Sequence, residues 1–260
     1  METADKGAHA KFVLTGPEGK FDPRTTAHRG DLADIALAGK MFAPHYAESM
    51  PMRCSAPKAM LRKQPGKDHE AISELLHGED FHVLDIAGDW AWGYCGHDNY
   101  VGYVPVHALQ HEKNARADPS GLCPCGADLH RAGLQVGRDE AAADGARIAC
   151  GEASECGNYL KTGKGYVHVR HVQPIGTKVV FDGSNGTAAL AEQLIGAPYL
   201  WGGRSGDGLD CSGLIQTILM LTGVAAPRDT DQQLEALGED IAADEELRRG
   251  DLIFLPTMSA

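Results

Sequence analysis

Apolar positions change their spacing along this chain, and the change separates two kinds of element. From Met52 to Leu109 short apolar runs alternate with turn signals: Phe81, Val83 and Leu84, then Trp90 and Trp92, then Tyr100, Val101, Tyr103 and Val104 after a turn at His97 to Asn99. A period of two sends successive side chains to opposite faces of a strand, so Trp90 and Trp92 are predicted to share one face. Frequent Gly and Pro exclude long helices here and predict a small β-barrel. Gly165, Tyr166, Val167, His168 and Val169 echo Tyr100 to Val104 and predict a second copy of that barrel. Between the two, 117–145 is rich in Ala, Asp and Gly, and no regular element is predicted there.

From Asn185 onward the spacing becomes helical. Leu190, Leu194 and Ile195 fit one face of a helix that ends at Gly196. Leu214, Ile215, Ile218, Leu219 and Leu221 mark a second helix, apolar on most sides and ending at Gly223, which should lie centrally. Thr230 followed by Gln233 reads as a capping box for a third helix carrying Leu234 and Leu237. Leu252, Ile253, Phe254 and Leu255 read as a buried strand.

Composition narrows the class. The 260 residues are 43% hydrophobic and 23% charged, the balance of a globular protein with about two domains. Thirty-six acidic against 24 basic side chains give a net charge of −12, which argues against an electrostatic grip on nucleic acid or anionic lipid. Met1 to Lys11 is polar, and no stretch approaches the ~20 apolar residues that span a bilayer, so a cytoplasmic location without membrane attachment is expected. Seven cysteines, an odd number, predict free thiols rather than a disulfide framework. Cys123, Cys125, Cys150 and Cys156 are spaced poorly for structural zinc, and no metal site is expected.

The chemistry concentrates in Pro198 to Gly203 and in Asp210, Cys211, Ser212 and Gly213. A cysteine in the first turn of a helix has its thiolate stabilised by the helix dipole and by unpaired N–H groups, which suits a nucleophile. Asp210 is placed to cap that helix. Gly202, Gly203, Gly206 and Gly208 would let backbone pass close to a substrate. No Lys-Ser/Thr follows these glycines, which excludes a phosphate-cradling loop.

These residues carry a resemblance. The Tyr-x-Trp-Gly-Gly run at Tyr199, the Asp-Cys-Ser-Gly run at Asp210, the Pro227, Arg228, Asp229 turn with Gln232 and Gln233, and Gly250 to Phe254 resemble the NlpC-type cell-wall peptidases. Gly78, Glu79 and Tyr100 to Tyr103 are similar to the bacterial SH3-like domains that precede this domain in some members. The resemblance implies an α+β chain: an N-terminal segment (1–40), two SH3-like barrels (41–112 and 113–178) and a papain-like cysteine peptidase domain (179–260). It implies cleavage between γ-D-glutamate and a diamino acid in murein peptides, with Cys211 as nucleophile and no cofactor. It also implies that Asp210 and Asp229, with Tyr100 and Glu79, help hold the free amino terminus of the peptide, and that Tyr199 and Trp201 line the cleft. Asp229 could equally serve only to cap the turn before the third helix. Trp90, Trp92, Tyr100 and Tyr103 are most simply barrel core and rim.

One departure stands out. All 12 histidines lie at or before His171, whereas the resemblance places a base histidine just after the Gly250 to Phe254 run. His168 and His171 are given no catalytic role. The catalytic domain is therefore expected to lack its C-terminal sheet, to leave an apolar face of the Cys211 helix uncovered, and to be impaired. One permitted coding of Pro256 to Ala260, read from the third base of the Pro256 codon, yields Asp-His-Val-Gly-Met, so a frame change is an expected cause. The alternative is a catalytically inactive murein-peptide-binding protein. Absence of an export signal favours recycling of imported fragments.

Overall fold

The computed structural model describes residues 21–111, 122–124, 134–135, 141–142, 146–163, 165–172, 174, 186–242 and 244–255. Two short strands, β1 (Leu32–Asp34) and β2 (His45–Ala47), pair in parallel. Then come β3 (Met50–Cys54), β4 (Lys58–Arg62), β5 (Ala71–Leu76), β6 (Asp80–Ala87), β7 (Trp90–Cys95), β8 (Val101–Pro105) and β9 (Leu109–His111). These seven form one antiparallel sheet in the order β5-β4-β8-β7-β6-β3-β9. The β7–β8 turn falls at 96–100, where Asn99 takes a φ of 60° and its N–H bonds to Cys95 O. Asn tolerates this left-handed conformation better than most side chains because its short amide can bond locally.

Leu61, Leu75, Phe81, Ala91, Tyr100 and Val104 fill one face of the sheet. Trp92 packs on the other, with Ala27 and Leu84. The N-terminal segment thus covers a face that would otherwise meet water, and Trp92 is buried under it rather than in a barrel interior.

A second sheet has the order β10-β13-β14-β15, from β10 (Leu122–Pro124), β13 (Arg147–Ala153), β14 (Tyr159–Thr162) and β15 (Gly165–His168). Two further pieces, β11 (Leu134–Gln135) and β12 (Ala141–Ala142), pair with each other. The stretch expected to be irregular therefore contains three short strands. β15 runs into a 3-10 turn at Val169–His171, as β8 does at Val106–Ala108, which is the structural content of the sequence echo. The expected closed barrels are corrected: among the described residues no ladder joins β5 to β9 or β10 to β15, so both sheets are open. Closure needs paired edges, and alternation within a strand does not specify them.

The helices are α1 (Gly186–Gln193), α2 (Cys211–Leu221) and α3 (Thr230–Ala236), with a hairpin of β16 (Arg204–Ser205) and β17 (Gly208–Leu209) before α2. Leu190, Leu194, Leu209, Ile218 and Leu221 make a separate core. α2 ends at Gly223 (φ 80°), where Gly223 N and Val224 N bond Met220 O and Leu219 O, closing the last turn as a left-handed glycine allows. The face of α2 turned to the first sheet is polar: Ser212, Gln216 and Thr217 are buried there, while Leu214, Ile215 and Leu219 are half-buried.

Two expectations fail in this half. The capping box does not form, because Asp229 occupies the cap position and Gln233 donates instead to Ser212 O (2.9 Å) and Pro227 O (2.8 Å). Residues 252–255 are not a strand, and Ile253 and Leu255 are exposed. An apolar run becomes a strand only when a ladder partner satisfies its backbone, and none of the described strands pairs with it.

Candidate active site

Asp210 precedes α2 in extended conformation and its carboxylate organises the segment. Oδ1 accepts from Gly213 N (2.7 Å), satisfying one of the orphan donors of the first turn. Oδ2 accepts from Gly202 N (2.9 Å), which ties the Trp201-Gly202-Gly203 run to the helix start. The Arg228 guanidinium binds both oxygens and also reaches Ser212 Oγ (2.9 Å) and Ser73 Oγ (3.1 Å). The glycines of the motif have a steric reason as well. A Cβ at Gly213 would lie 2.2 Å from Gly203 O, and one at Gly202 would lie 2.9 Å from Ala71 O, at a φ of 79°. The close approach expected towards a substrate is thus made to the protein's own backbone.

This bracing leaves Cys211 exposed at the first position of α2, with Sγ 3.7 Å from Thr230 Oγ1. It opens onto a cavity of about 620 Å³ that is also lined by Tyr100, Trp201 and Asp229. Five of the sequence candidates, Asp210 among them, therefore line one cleft. Tyr100 OH donates to Asp229 Oδ2 at 2.8 Å, and Arg24 Nη1 donates to the same oxygen at 2.9 Å. Trp201 is 59% exposed and offers an open aromatic wall.

Asp210 and the remaining candidates sit differently. Asp210 lines the cavity but is 6% exposed, with both oxygens engaged inside the protein. Tyr199 is exposed and is not one of the lining residues, although desolvation and then the charge at Cys211 raise the pKa of its phenol. Glu79 is fully buried at the joint between the first sheet and the helical half, where it accepts from Leu76 N (2.8 Å) and from Arg204 Nη1 (3.1 Å) and Nη2 (3.3 Å). His168 and His171 stack edge to face in the second sheet and do not line the cavity. Of the four cysteines weighed as zinc ligands, the side chains of Cys123 and Cys125 lie outside the described residues. Cys156 is exposed, with Sγ 3.3 Å from Ser154 Oγ.

The joint holds groups that sequence reading missed. Arg204 N and Nη1 also bond Glu74 Oε2 and Glu74 O, both at 2.8 Å. Asp98 accepts from Tyr100 N (2.9 Å) and Gln216 Nε2 (2.8 Å), with His97 Nε2 3.2 Å away. The Arg204 position could have been flagged, since it directly follows the Gly202-Gly203 pair. Its carboxylate partners, Glu74 and Glu79, lie more than a hundred residues away and leave no local signal.

Burial raises the pKa values of Glu79 and Asp98, but the charges of Arg204 and His97 outweigh it and hold both carboxyls below their ordinary range. A carboxyl depressed in the folded state contributes stability that is present above its unfolded value, about 4, and lost as pH falls through the folded one. Stability is therefore expected to be level from neutrality to about pH 5 and to fall below about pH 4. Hydrogen exchange at the backbone of α2 should rise in the same window. A profile level down to about pH 2 would contradict the joint's electrostatic role.

Comparison with known proteins locates the chain. Residues 61–109 match the bacterial dipeptidyl-peptidase Sh3 domain, and residues 196–260 match the NlpC/P60 family. Gamma-D-glutamyl-L-lysine dipeptidyl-peptidase of Bacillus subtilis (strain 168) is 45% identical over 61 residues, 24% of this chain and 20% of that protein. The match thus spans about a fifth of that relative. Dipeptidyl-peptidase 6 of Lysinibacillus sphaericus is 24% identical over 223 residues, 76% of this chain and 79% of that protein. The crystal structure of an NlpC/P60 family protein from Bacillus cereus ATCC 10987 superposes with a TM-score of 0.60 at 16% identity, covering 77% of this chain and 81% of that one, a likeness of fold. Among the described residues no helix is long and apolar enough to cross a membrane. The Asp-Cys-Ser-Gly helix start lies inside the segment that matches the NlpC/P60 family, so the chain carries an NlpC-type peptidase domain behind an SH3 domain.

Proposed function

We propose that this protein is a cysteine peptidase that cleaves the bond between γ-D-glutamate and a diamino acid in murein peptides. The observation that carries the reading is that Cys211, exposed at the start of α2, shares one cavity with Tyr100, Trp201 and Asp229. The names of two relatives, which specify γ-D-glutamyl-L-lysine, support this substrate class. In this reading the Cys211 sulfur attacks the scissile carbonyl carbon, and the C–N bond breaks. The amine of the diamino acid leaves with the proton released by the thiol. Water then cleaves the thioester, freeing the glutamyl carboxylate and regenerating the thiol. Asp229, fixed by Tyr100, receives the amino terminus of the peptide, and Trp201 covers its backbone. Asp210 and Glu79 support the reading indirectly, by holding the helix start and the joint. No cofactor enters these steps.

A second reading, peptide binding without turnover, is favoured by one observation. Among the described residues the group at Cys211 Sγ is the Thr230 hydroxyl, which is a poor base at neutral pH. Both readings are tested together by incubating the full chain with L-alanyl-γ-D-glutamyl-L-lysine and following free lysine by mass spectrometry, with binding measured in parallel by calorimetry. Release of lysine, reduced by about 10³-fold or more in Cys211→Ala, is the expected result. Binding with no release selects the second reading. Neither binding nor release rejects both.

A further inference from the structure

Arg24 belongs to a segment that precedes the first sheet, yet its guanidinium lines the same cavity as Cys211. Every one of its N–H groups is used. Nε and Nη2 donate to Asp22 (3.0 and 2.7 Å), Nη1 to Asp229 Oδ2 (2.9 Å) and Asp231 Oδ1 (2.8 Å), and Nη2 also to Asp231 Oδ2 (2.7 Å). Its backbone is pinned as well, since Val101 N donates to Arg24 O at 2.7 Å, next to Tyr100. Asp22 Oδ2 accepts from Gln232 Nε2 at 3.0 Å, which ties the segment to α3 from a second point.

A single guanidinium therefore gathers three carboxylates that lie on two segments about 200 residues apart. With Asp22, Asp229 and Asp231 ionised, the cluster carries 1 − 3 = −2 charges around Arg24. Hydrogen bonds from Arg24 hold Asp22 and Asp231 below the ordinary carboxylate range, so both stay charged in mild acid. The bonds are also uneven. Arg24 and Tyr100 both take Asp229 Oδ2, and among the described residues no hydrogen bond reaches Oδ1. Arg24 cannot itself meet a ligand anion, because it has no donor left.

We infer that Arg24 is a positioning residue for a cationic amino group: it holds Asp229 with Oδ1 unoccupied and sets Asp231 beside it as a second carboxylate. This rests on the proposed binding of a peptide amino terminus at Asp229 and extends it in two ways. The receptor is a pair of carboxylates, and the N-terminal segment is part of the active site. Lysine is a poor substitute at Arg24, because a point charge on a flexible stem cannot span three carboxylates in fixed geometry.

The test uses the full chain carrying Cys211→Ala, so that turnover does not complicate binding. Calorimetry compares L-alanyl-γ-D-glutamyl-L-lysine with its N-acetyl form in four backgrounds: Arg24 intact, Arg24→Ala, Arg24→Lys and Asp231→Asn. With Arg24 intact, the free-amine peptide should bind about ten- to a hundredfold more tightly than the acetylated one, the range of one charge-assisted hydrogen bond. Arg24→Ala and Arg24→Lys should both reduce that ratio to near one, and Asp231→Asn should reduce it severalfold. Thermal unfolding checks each variant. If Arg24→Ala does not fold, Arg24→Lys and Asp231→Asn decide. A ratio unchanged in the folded Arg24 variants overturns this inference and leaves the proposed function standing. Failure of the free-amine peptide to bind when Arg24 is intact overturns both.

Discussion

Arg204→Ala is expected to destabilise the protein by roughly 3–5 kcal/mol, the cost of leaving a buried charge without its partner. Arg204 is fully buried between the first sheet and α2, and its guanidinium bonds both oxygens of Glu79, itself fully buried. Its amide and Nη1 hold Glu74, and Thr217 Oγ1 donates to Arg204 O at 2.9 Å from α2. Removing the side chain strands Glu79 with one backbone N–H, from Leu76, and with His97 Nδ1 at 3.8 Å. The intact pair adds little net stability, because burying both ions offsets most of their attraction. The double variant Arg204→Met, Glu79→Gln should therefore recover most of the loss, and urea unfolding of the four proteins gives the coupling. A cost for Arg204→Ala below about 1 kcal/mol would show that the two halves are held by something else.

Asp210→Ala is expected to be comparably severe, for a reason that bears on its role. The substitution removes the cap of α2, worth about 1 kcal/mol, and leaves Arg228 buried without a counter-charge. Asp210→Asn keeps an acceptor for Gly213 N but loses the ion pair, so it should fall between Asp210→Ala and the unaltered protein. If Asp210 acts through Arg228 and the helix start, peptide affinity should decline only in step with lost folding. Loss of affinity in an Asp210 variant that unfolds like the unaltered protein would instead make Asp210 a direct ligand of the substrate. Asp229 differs because it keeps one oxygen without a protein partner among the described residues, and its replacement should cost binding more than folding.

Asp210 is one of four residues that read alike in the sequence and diverge in the structure. Asp210, Asp229, Glu79 and Tyr100 were all candidates for holding a peptide amino terminus. Tyr100 and Asp229 meet in the cleft, Asp210 is consumed by Arg228 and two backbone amides, and Glu79 is sealed against Arg204. A carboxylate has the same letter whether it faces a substrate or a buried guanidinium. Only the neighbours distinguish the two, and for Glu79 the neighbour lies 125 positions away.

What the sequence by itself determined is what local physics controls. The period of two in Trp90 to Val104 and the left-handed Asn99 turn give the β7–β8 hairpin. Helical spacing and Gly223 give α2 and its end, and an aspartate before a cysteine gives the helix start that exposes Sγ. Each depends on residues within a few positions, so a linear string carries it. Tertiary structure decided the rest. Gln233 has the spacing of a capping box, yet its amide serves Ser212 and Pro227 because the turn beside α2 offers buried carbonyls at that point. Leu252 to Leu255 has the composition of a strand, yet with no ladder partner among the described residues its composition cannot supply the backbone bonds a strand needs. Arg24 has no motif at all, and its place in the cleft exists only because Asp229 and Asp231 fold back onto the N-terminal segment. Periodicity, caps and turns are short-range and survive in sequence. Ion pairs, ladder partners and the residues that share a cavity are set by which surfaces meet, and that is fixed only when the whole chain packs.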